Sequence, residues 1–248
     1  MFRTISLLAL GAVLAQPALA QEAGGRPDGW SLGGLVAADT NPYIGQGSDV
    51  IPLPLFRYAN GPFELSTNGL SYDVLDLGAF DVSVAARPRF SGLISTDGPE
   101  LDGIDREVTG DVALELRYDL GRLYAGADIR QEFTGEHDGQ EARFRFGLRQ
   151  ALGPVRLDWS AGAAWQSGDL SRYVWGVGSD EARVGRDAYD PGDVVVPFVG
   201  LRGVMPIGEN WSILGTLRAD FLPDAVTDSP IIEDDTLVSG GLGVEFRF

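Results

Sequence analysis

From Val238 to the last residue, apolar and polar positions alternate: Val238, Gly240, Leu242, Val244, Phe246 and Phe248 share one parity, Ser239, Gly241, Gly243, Glu245 and Arg247 the other. A period of two is that of a β-strand with one apolar face. The same period recurs upstream. Val108, Val112, Leu114, Leu116 and Tyr118 alternate with Thr109, Asp111, Glu115, Arg117 and Asp119, and Leu123, Ala125, Ala127 and Ile129 with Tyr124, Gly126, Asp128 and Arg130. Ala142, Phe144, Phe146 and Leu148 oppose Arg143, Arg145 and Arg149, while Val155, Leu157, Trp159, Ala161, Ala163 and Trp165 oppose Arg156, Asp158, Ser160 and Gln166. Runs of about ten residues exceed the soluble mode of about 5–6. Tilted, they are long enough to cross the hydrocarbon of a bilayer.

The connections between the runs alternate in length. Short ones fall at 59–62, 76–79, 119–122, 151–154 and 206–210, long ones at 40–49, 91–106, 134–140, 167–193 and 222–235. A bacterial outer-membrane barrel turns tightly on its periplasmic side and loops widely outside. The alternation holds if 63–67 and 70–75 are two strands joined through Asn68-Gly69, a dipeptide suited to the positive φ angles of a type I′ turn. The predicted fold is therefore all-β: a transmembrane, antiparallel, up-and-down β-barrel. Its twelve strands are expected at 30–39, 50–58, 63–67, 70–75, 80–90, 107–118, 123–133, 141–150, 155–166, 194–205, 211–221 and 236–248. Ten is the fallback, because 50–78 is weakly patterned. Pro52 and Pro54 cannot donate to a ladder and predict a bulged or interrupted strand there. Trp30, Tyr118, Trp159, Trp165, Trp211, Phe221, Phe246 and Phe248 lie on the apolar parity, most near strand ends, as in an interfacial aromatic girdle.

The first twenty residues read differently. Arg3, an apolar run from Ile5 to Ala15 and the small residues Ala18-Leu19-Ala20 form a secretory signal peptide cleaved after Ala20, leaving 21–248 as one barrel domain. Export to the outer membrane of a Gram-negative cell follows. No Cys is present, so neither a disulfide framework nor a lipid anchor on cysteine is available. The 36 acidic residues outnumber 19 cations, none of them Lys, and the net charge of −17 argues against a nucleic-acid partner.

Candidate chemistry is sparse. The one histidine, His137, sits in the hairpin tip 134–140 between Gly135 and Gly139. A catalytic histidine needs an orienting partner and a fixed position; a glycine-flanked tip offers neither, and a solvated loop histidine is the expectation. No enzyme activity, cofactor or metal centre is expected. The inward parity carries Asp111, Glu115, Arg117, Asp128, Arg130, Glu132, Arg143, Arg145, Arg149, Arg156, Asp158, Arg202, Arg218 and Asp220. Arginine and carboxylate on neighbouring strands can pair and fill a small barrel, which favours a plugged or narrow interior over a wide pore. Acids cluster in the long loops, around 97–105, 180–193 and 224–235. They could hold Ca²⁺ or Mg²⁺ weakly and bridge to lipopolysaccharide phosphates, but solvation is the favoured reading.

The order of motifs resembles one family. Pro42-Tyr43-Ile44-Gly45-Gln46-Gly47-Ser48-Asp49, Ile51-Pro52-Leu53-Pro54, Arg57-Tyr58 and Asn68-Gly69-Leu70-Ser71-Tyr72-Asp73 are followed by Tyr173-Val174-Trp175-Gly176-Val177, Tyr189-Asp190-Pro191, Asn210-Trp211, Asp228-Ser229-Pro230-Ile231 and an aromatic C-terminus. Over about Trp30 to Phe248 this set resembles the MltA-interacting protein, or OmpV, family. The resemblance implies an outer-membrane protein, some members being linked to scaffolding a lytic transglycosylase and a murein synthase; it implies no catalytic residues. Relatives often have a glycine–histidine loop, whereas Glu136 precedes His137 here. The function expected is thus a scaffold or partner-binding barrel for murein-remodelling enzymes. The alternatives are a narrow porin-like channel, a surface adhesin and an outer-membrane hydrolase.

The aromatic end of the last strand also resembles the signal read by the barrel assembly machinery. Leu242, Val244, Phe246 and Phe248 are its expected residues. Replacing Phe248 by Asp is expected to lower the heat-modifiable, folded protein recovered from outer membranes several-fold. Unchanged recovery would count against that role.

Overall fold

The computed structural model describes residues 28–90 and 98–248; the signal peptide expected at 1–20 lies outside them. Twelve strands are present: β1 Gly29–Asp39, β2 Asp49–Asn60, β3 Phe63–Ser66, β4 Gly69–Asp76, β5 Phe80–Arg89, β6 Thr109–Leu120, β7 Leu123–Glu132, β8 Gln140–Leu152, β9 Val155–Gln166, β10 Val194–Ile207, β11 Trp211–Phe221 and β12 Thr236–Arg247. Each pairs antiparallel with its chain neighbours, and β1 pairs with β12 from Ser31↔Arg247 to Asp39↔Ser239, which closes the barrel. A helix α1, Gly168–Trp175, and a single turn α2, Asp224–Thr227, lie in the long connections.

Sequence parity becomes a radial direction. Residues of the apolar parity point outward: Leu242 is 71% exposed, and Val36, Ile129, Phe146 and Trp211 are likewise uncovered. In water such a surface would be a large aggregation-prone patch; against lipid it is the required one. The opposite parity points inward, so that Asp111 is fully buried and Ser31, Ser83, Arg130, Asp158, Arg218 and Ser239 are buried with it. The aromatic girdle reads out in contacts near the short-turn end: Trp30 against Tyr58 at 4.7 Å, and Trp211, Phe246 and Phe248 in successive edge-on pairs of 5.0 and 4.9 Å.

Two local expectations are corrected. The β3–β4 ladder ends at Ser66↔Gly69, so the turn residues are Thr67 and Asn68, one position earlier than Asn68-Gly69. Positive φ falls on Gly69 alone of these, at 105°. Side chains set this register: Asn68 N–H donates to Ser66 Oγ, while Thr67 N–H donates to Phe56 O and Thr67 Oγ1 accepts from Phe56 N–H. The second correction concerns Pro52 and Pro54. Neither bulges nor interrupts β2, which pairs with β1 residue for residue from Gly29↔Ala59 to Asp39↔Asp49. Their missing donors fall on the other edge of β2, above the short β3, where no ladder is paired among the described residues.

Glycine shapes the inner wall where strands and rings crowd. At Gly162 an added Cβ would fall 2.1 Å from Phe144 O and 2.7 Å from the Phe198 ring, whereas at Gly203 its nearest neighbour is the flexible end of Leu157, at 3.4 Å. Overpacking of this kind costs about 1–3 kcal/mol. Gly162→Val is expected to lower the stability of the refolded barrel by that amount in urea titrations, with Gly203→Val changing it by less than about 0.5 kcal/mol; equal effects would remove the distinction.

Candidate functional site: a latched cap over a charge-filled lumen

Inside the barrel, inward side chains meet as ion pairs, some along one strand and others between strands. Arg87 on β5 binds Glu115 on β6 through two parallel contacts of 2.9 and 2.8 Å. Arg89 lies 2.7 Å from Asp111 and 2.8 Å from Glu141. Arg143 reaches both Asp128, at 2.9 Å, and Glu141, at 3.0 Å, while Asp128 also receives Arg130. Asp119 joins Arg117 and Arg149, and Arg218 forks onto Asp220 while lying 3.9 Å over the Phe198 ring. Near the short-turn end, Tyr124 donates to Asp158 at 2.6 Å and its ring is faced by Arg117, Arg149 and Arg145 at 4.4, 5.0 and 5.9 Å. The sequence reading of a filled interior thus acquires its partners.

At the long-loop end the structure holds something that reading missed. Segments from four connections share one apolar core: Tyr43 from β1–β2, Leu101 and Ile104 from β5–β6, Leu170, Val174, Trp175 and Val177 from β9–β10, and Val226, Ile231 and Ile232 from β11–β12. Their parent strands stand on all sides of the ring, so a shared core lies across the mouth. It continues downward onto Val194 and Val196, the inward residues at the top of β10. The family-like motifs around Tyr43, Tyr173-Val174-Trp175, Tyr189 and Ile231 converge in this cap.

Polar latches fix it. Tyr43, almost fully buried, donates its hydroxyl to Val174 O at 2.6 Å, and burial pushes that hydroxyl up to about 12. Ile44 N–H donates to Ile231 O at 2.9 Å. Trp175 Nε1 donates to Gln166 Oε1, and Tyr189 Oη donates to Ala225 O, each at 2.9 Å. Arg106 donates to both oxygens of Glu181 and to Gly176 O. Burial opposes ionisation of Glu181, but the Arg106 contact outweighs it and holds the carboxyl below its ordinary value. Arg186 threads between Glu100 O, Asp102 O and Glu181 O. The Glu181 carboxylate, read as loop solvation, is therefore a latch. Among the described residues no three His, Cys, Asp or Glu side chains converge as a metal-holding group.

His137 is the third correction. It is not a solvated tip: its ring lies 4.7 Å from that of Tyr173, and Gly139 N–H donates to its Nδ1 at 3.0 Å. With Nδ1 accepting, the proton of the neutral ring sits on Nε2, which faces Thr109 Oγ1 at 3.4 Å. The holder, Tyr173, is 36 positions away in another loop, which is why the sequence concealed it. Position is fixed, with the Thr109 hydroxyl and the Gly139 N–H as its polar contacts among the described residues. The histidine anchors the β7–β8 hairpin to the cap.

With the geometry in place, comparison with known proteins places it. The profile of the family described as MltA-interacting protein MipA matches residues 32–248. The chain belongs to the MltA-interacting protein family. Similar relatives include "MltA-interacting protein" of Escherichia coli (strain K12), 25% identical over 98% of this chain and 99% of that one. "Putative outer membrane protein YiaT" of the same strain is 25% identical over 88% and 90%, and "Outer membrane protein OmpV" of Vibrio cholerae 25% identical over 78% and 76%. Family and fold together make this an outer-membrane β-barrel.

Burial, then the charge of Arg89, hold the His137 pKa below 6.5. The unfolded loop therefore binds the proton more readily than the folded one. The histidine's support is whole above about pH 6.5 and falls as pH drops from there toward the folded value. Protonation also ends acceptance at Nδ1. Hydrogen exchange at the Gly139 amide, corrected for intrinsic rate, is expected to be several-fold less protected at pH 5 than at pH 7.5. The difference should vanish in His137→Gln; pH-independent protection in the parent would refute the anchor.

Proposed function

We propose that this barrel works by holding partners rather than by turnover or permeation, with murein-remodelling enzymes, a lytic transglycosylase and a murein synthase, bound on its periplasmic side. The observation that carries the reading is the cap: a pore needs passage at both ends, and here one apolar core with directional latches spans the outer mouth. The name of the Escherichia coli relative supports the class of partner. No catalytic role is assigned to any residue, His137 included. In this reading an N-terminal signal peptide exports the chain, Leu242, Val244, Phe246 and Phe248 present it to the barrel assembly machinery, and outer-leaflet lipid and lipopolysaccharide surround the product.

The competing reading, a narrow path for small solutes, has one feature in its favour. Arg145 keeps a buried Nε without a hydrogen-bond partner among the described residues, beside the Tyr124 cluster. Crosslinking pull-down from intact envelopes and single-channel recording in planar bilayers separate the two. A murein enzyme captured by a closed barrel is the expected result. Large, ion-selective conductance with no such enzyme recovered would overturn the proposal, and conductance lost in Arg145→Gln would place the path in the lumen.

A further inference from the structure

The barrel wall is not uniformly tall. β3 has four residues and β4 eight, against twelve in β2 and ten in β5. β2 pairs with β3 only from Arg57 to Asn60, and β5 pairs with β4 only from Asp81 to Ala86. Above the hairpin, seven residues of β2 (49–55) have β1 as their one ladder neighbour among the described residues, and Arg87–Arg89 have β6. At about 3.3 Å per residue this is a notch about 20 Å tall along β2. Its floor is the Thr67 side chain, whose Oγ1 donates to Pro54 O and accepts from Phe56 N–H, together with Arg87, which donates to Asn68 O.

The notch opens onto lipid. Pro52 and Pro54 pair across β1 with Val36 and Gly34, whose partners on β12 are Leu242 and Val244, so they share the height of the lipid-facing belt. An unpaired strand edge in hydrocarbon is costly, because each unmet backbone group costs several kcal/mol. Here the edge has lost most of its donors. Backbone groups point alternately to the two sides of a strand, and Pro54 O and Phe56 N–H both face the notch. Pro52 and Pro54 therefore remove N–H groups from that edge. On β5 an added Cβ at Gly69 would strike Ala86 O, so the even positions face the notch there too, and Pro88 removes a third donor. The same prolines deny an incoming β-strand the donors it would pair with.

The inner wall behind the notch is apolar, in contrast to the charged lumen. Leu35 and Ala37 of β1 and Ile51 and Leu53 of β2 form a cluster against which Leu55 and Phe90 pack, half-buried. Gly241 and Gly243 make room for it, since a Cβ on either would lie about 3 Å from Leu35.

We propose that the notch is a lateral site for one hydrocarbon chain: an acyl chain of an outer-leaflet lipid enters between β2 and β5 above the β3–β4 hairpin and lies against Leu55 and Phe90. The occupant is argued from where the opening stands. It faces bilayer, offers few donors to peptide, and leads to apolar side chains. A chain seated there fills the opening by apolar contact, not by ladder hydrogen bonds.

Because the protein has no cysteine, single labels report cleanly. Nitroxides at Leu55→Cys and Phe90→Cys, in full-length protein in phosphatidylcholine–phosphatidylglycerol vesicles, are expected to collide with oxygen in preference to a water-soluble nickel chelate. Their ratio should match that at Val36→Cys on the lipid face and exceed by several-fold that at Ala113→Cys, a buried inward position on β6. Labels at 55 and 90 that behave like 113 would overturn the proposal. If the substituted barrels fail to fold, the unsubstituted protein in nanodiscs decides. Cross-relaxation between acyl-chain protons and the Leu53 and Leu55 methyl groups, absent at the Ala113 methyl, supports the site, and its absence at all three refutes it.

Discussion

The constraint on which everything else rests is that hydrocarbon offers the backbone no hydrogen bonds. A sheet meets it by closing, and the β1–β12 ladder is the step that closes this one. Closing it with every pair antiparallel requires an even strand number, and the pleat of each strand alternates side-chain direction. That direction forces apolar groups out and leaves the polar ones to find each other inside. Unusual features of the chain become intelligible as consequences. Glycines stand where a Cβ would strike a neighbouring strand, as at Gly33 and Gly162. Prolines stand where the wall drops to a four-residue strand and a donor would be stranded.

How far the sequence could be read follows the same constraint. A solvent that tolerates apolar groups on one face imprints a period of two on every spanning strand, and the observed strands begin and end within two residues of those expected. Features set by distant partners were not legible. That Pro52 and Pro54 leave β2 intact depends on which edge of β2 is paired, a property of β3 and not of β2. The Thr67-Asn68 turn was hidden because Asn68-Gly69 has the better local propensity, while Phe56 across the hairpin selects the register. The cap escaped because its segments read as acidic loops. Ser167, Leu170 and Val174 did carry a signal, an N-cap followed by apolar positions four apart, and α1 starts at that cap.

The cap changes what the lumen can be for. A charge-filled barrel open at both ends is a selective path; here segments from four connections share one apolar core across the mouth. Rigidity has a source at each level. Ladders hold the strands, ion pairs tie strands across the interior, and Tyr43, Arg106 and Arg186 tie loops from opposite sides of the ring.

The exclusive use of arginine follows from that interior. All 19 basic residues are Arg. Their planar forks let one carboxylate serve two cations and one cation two carboxylates: Asp128 binds Arg130 and Arg143, Asp119 binds Arg117 and Arg149, and Arg89 spans Asp111 and Glu141. A lysine ammonium is a single, strongly hydrated point charge without the planar fork that Arg117 and Arg218 bring over the Tyr124 and Phe198 rings. Sharing matters because an inward charge left alone costs more than a pair returns. The shared pairs run from β5 to β8, Arg89 to Glu141, Glu141 to Arg143 and Arg143 to Asp128. Much of the surplus negative charge then falls to the long loops, where Glu181, Asp190 and Asp102 meet the remaining arginines at the outer rim.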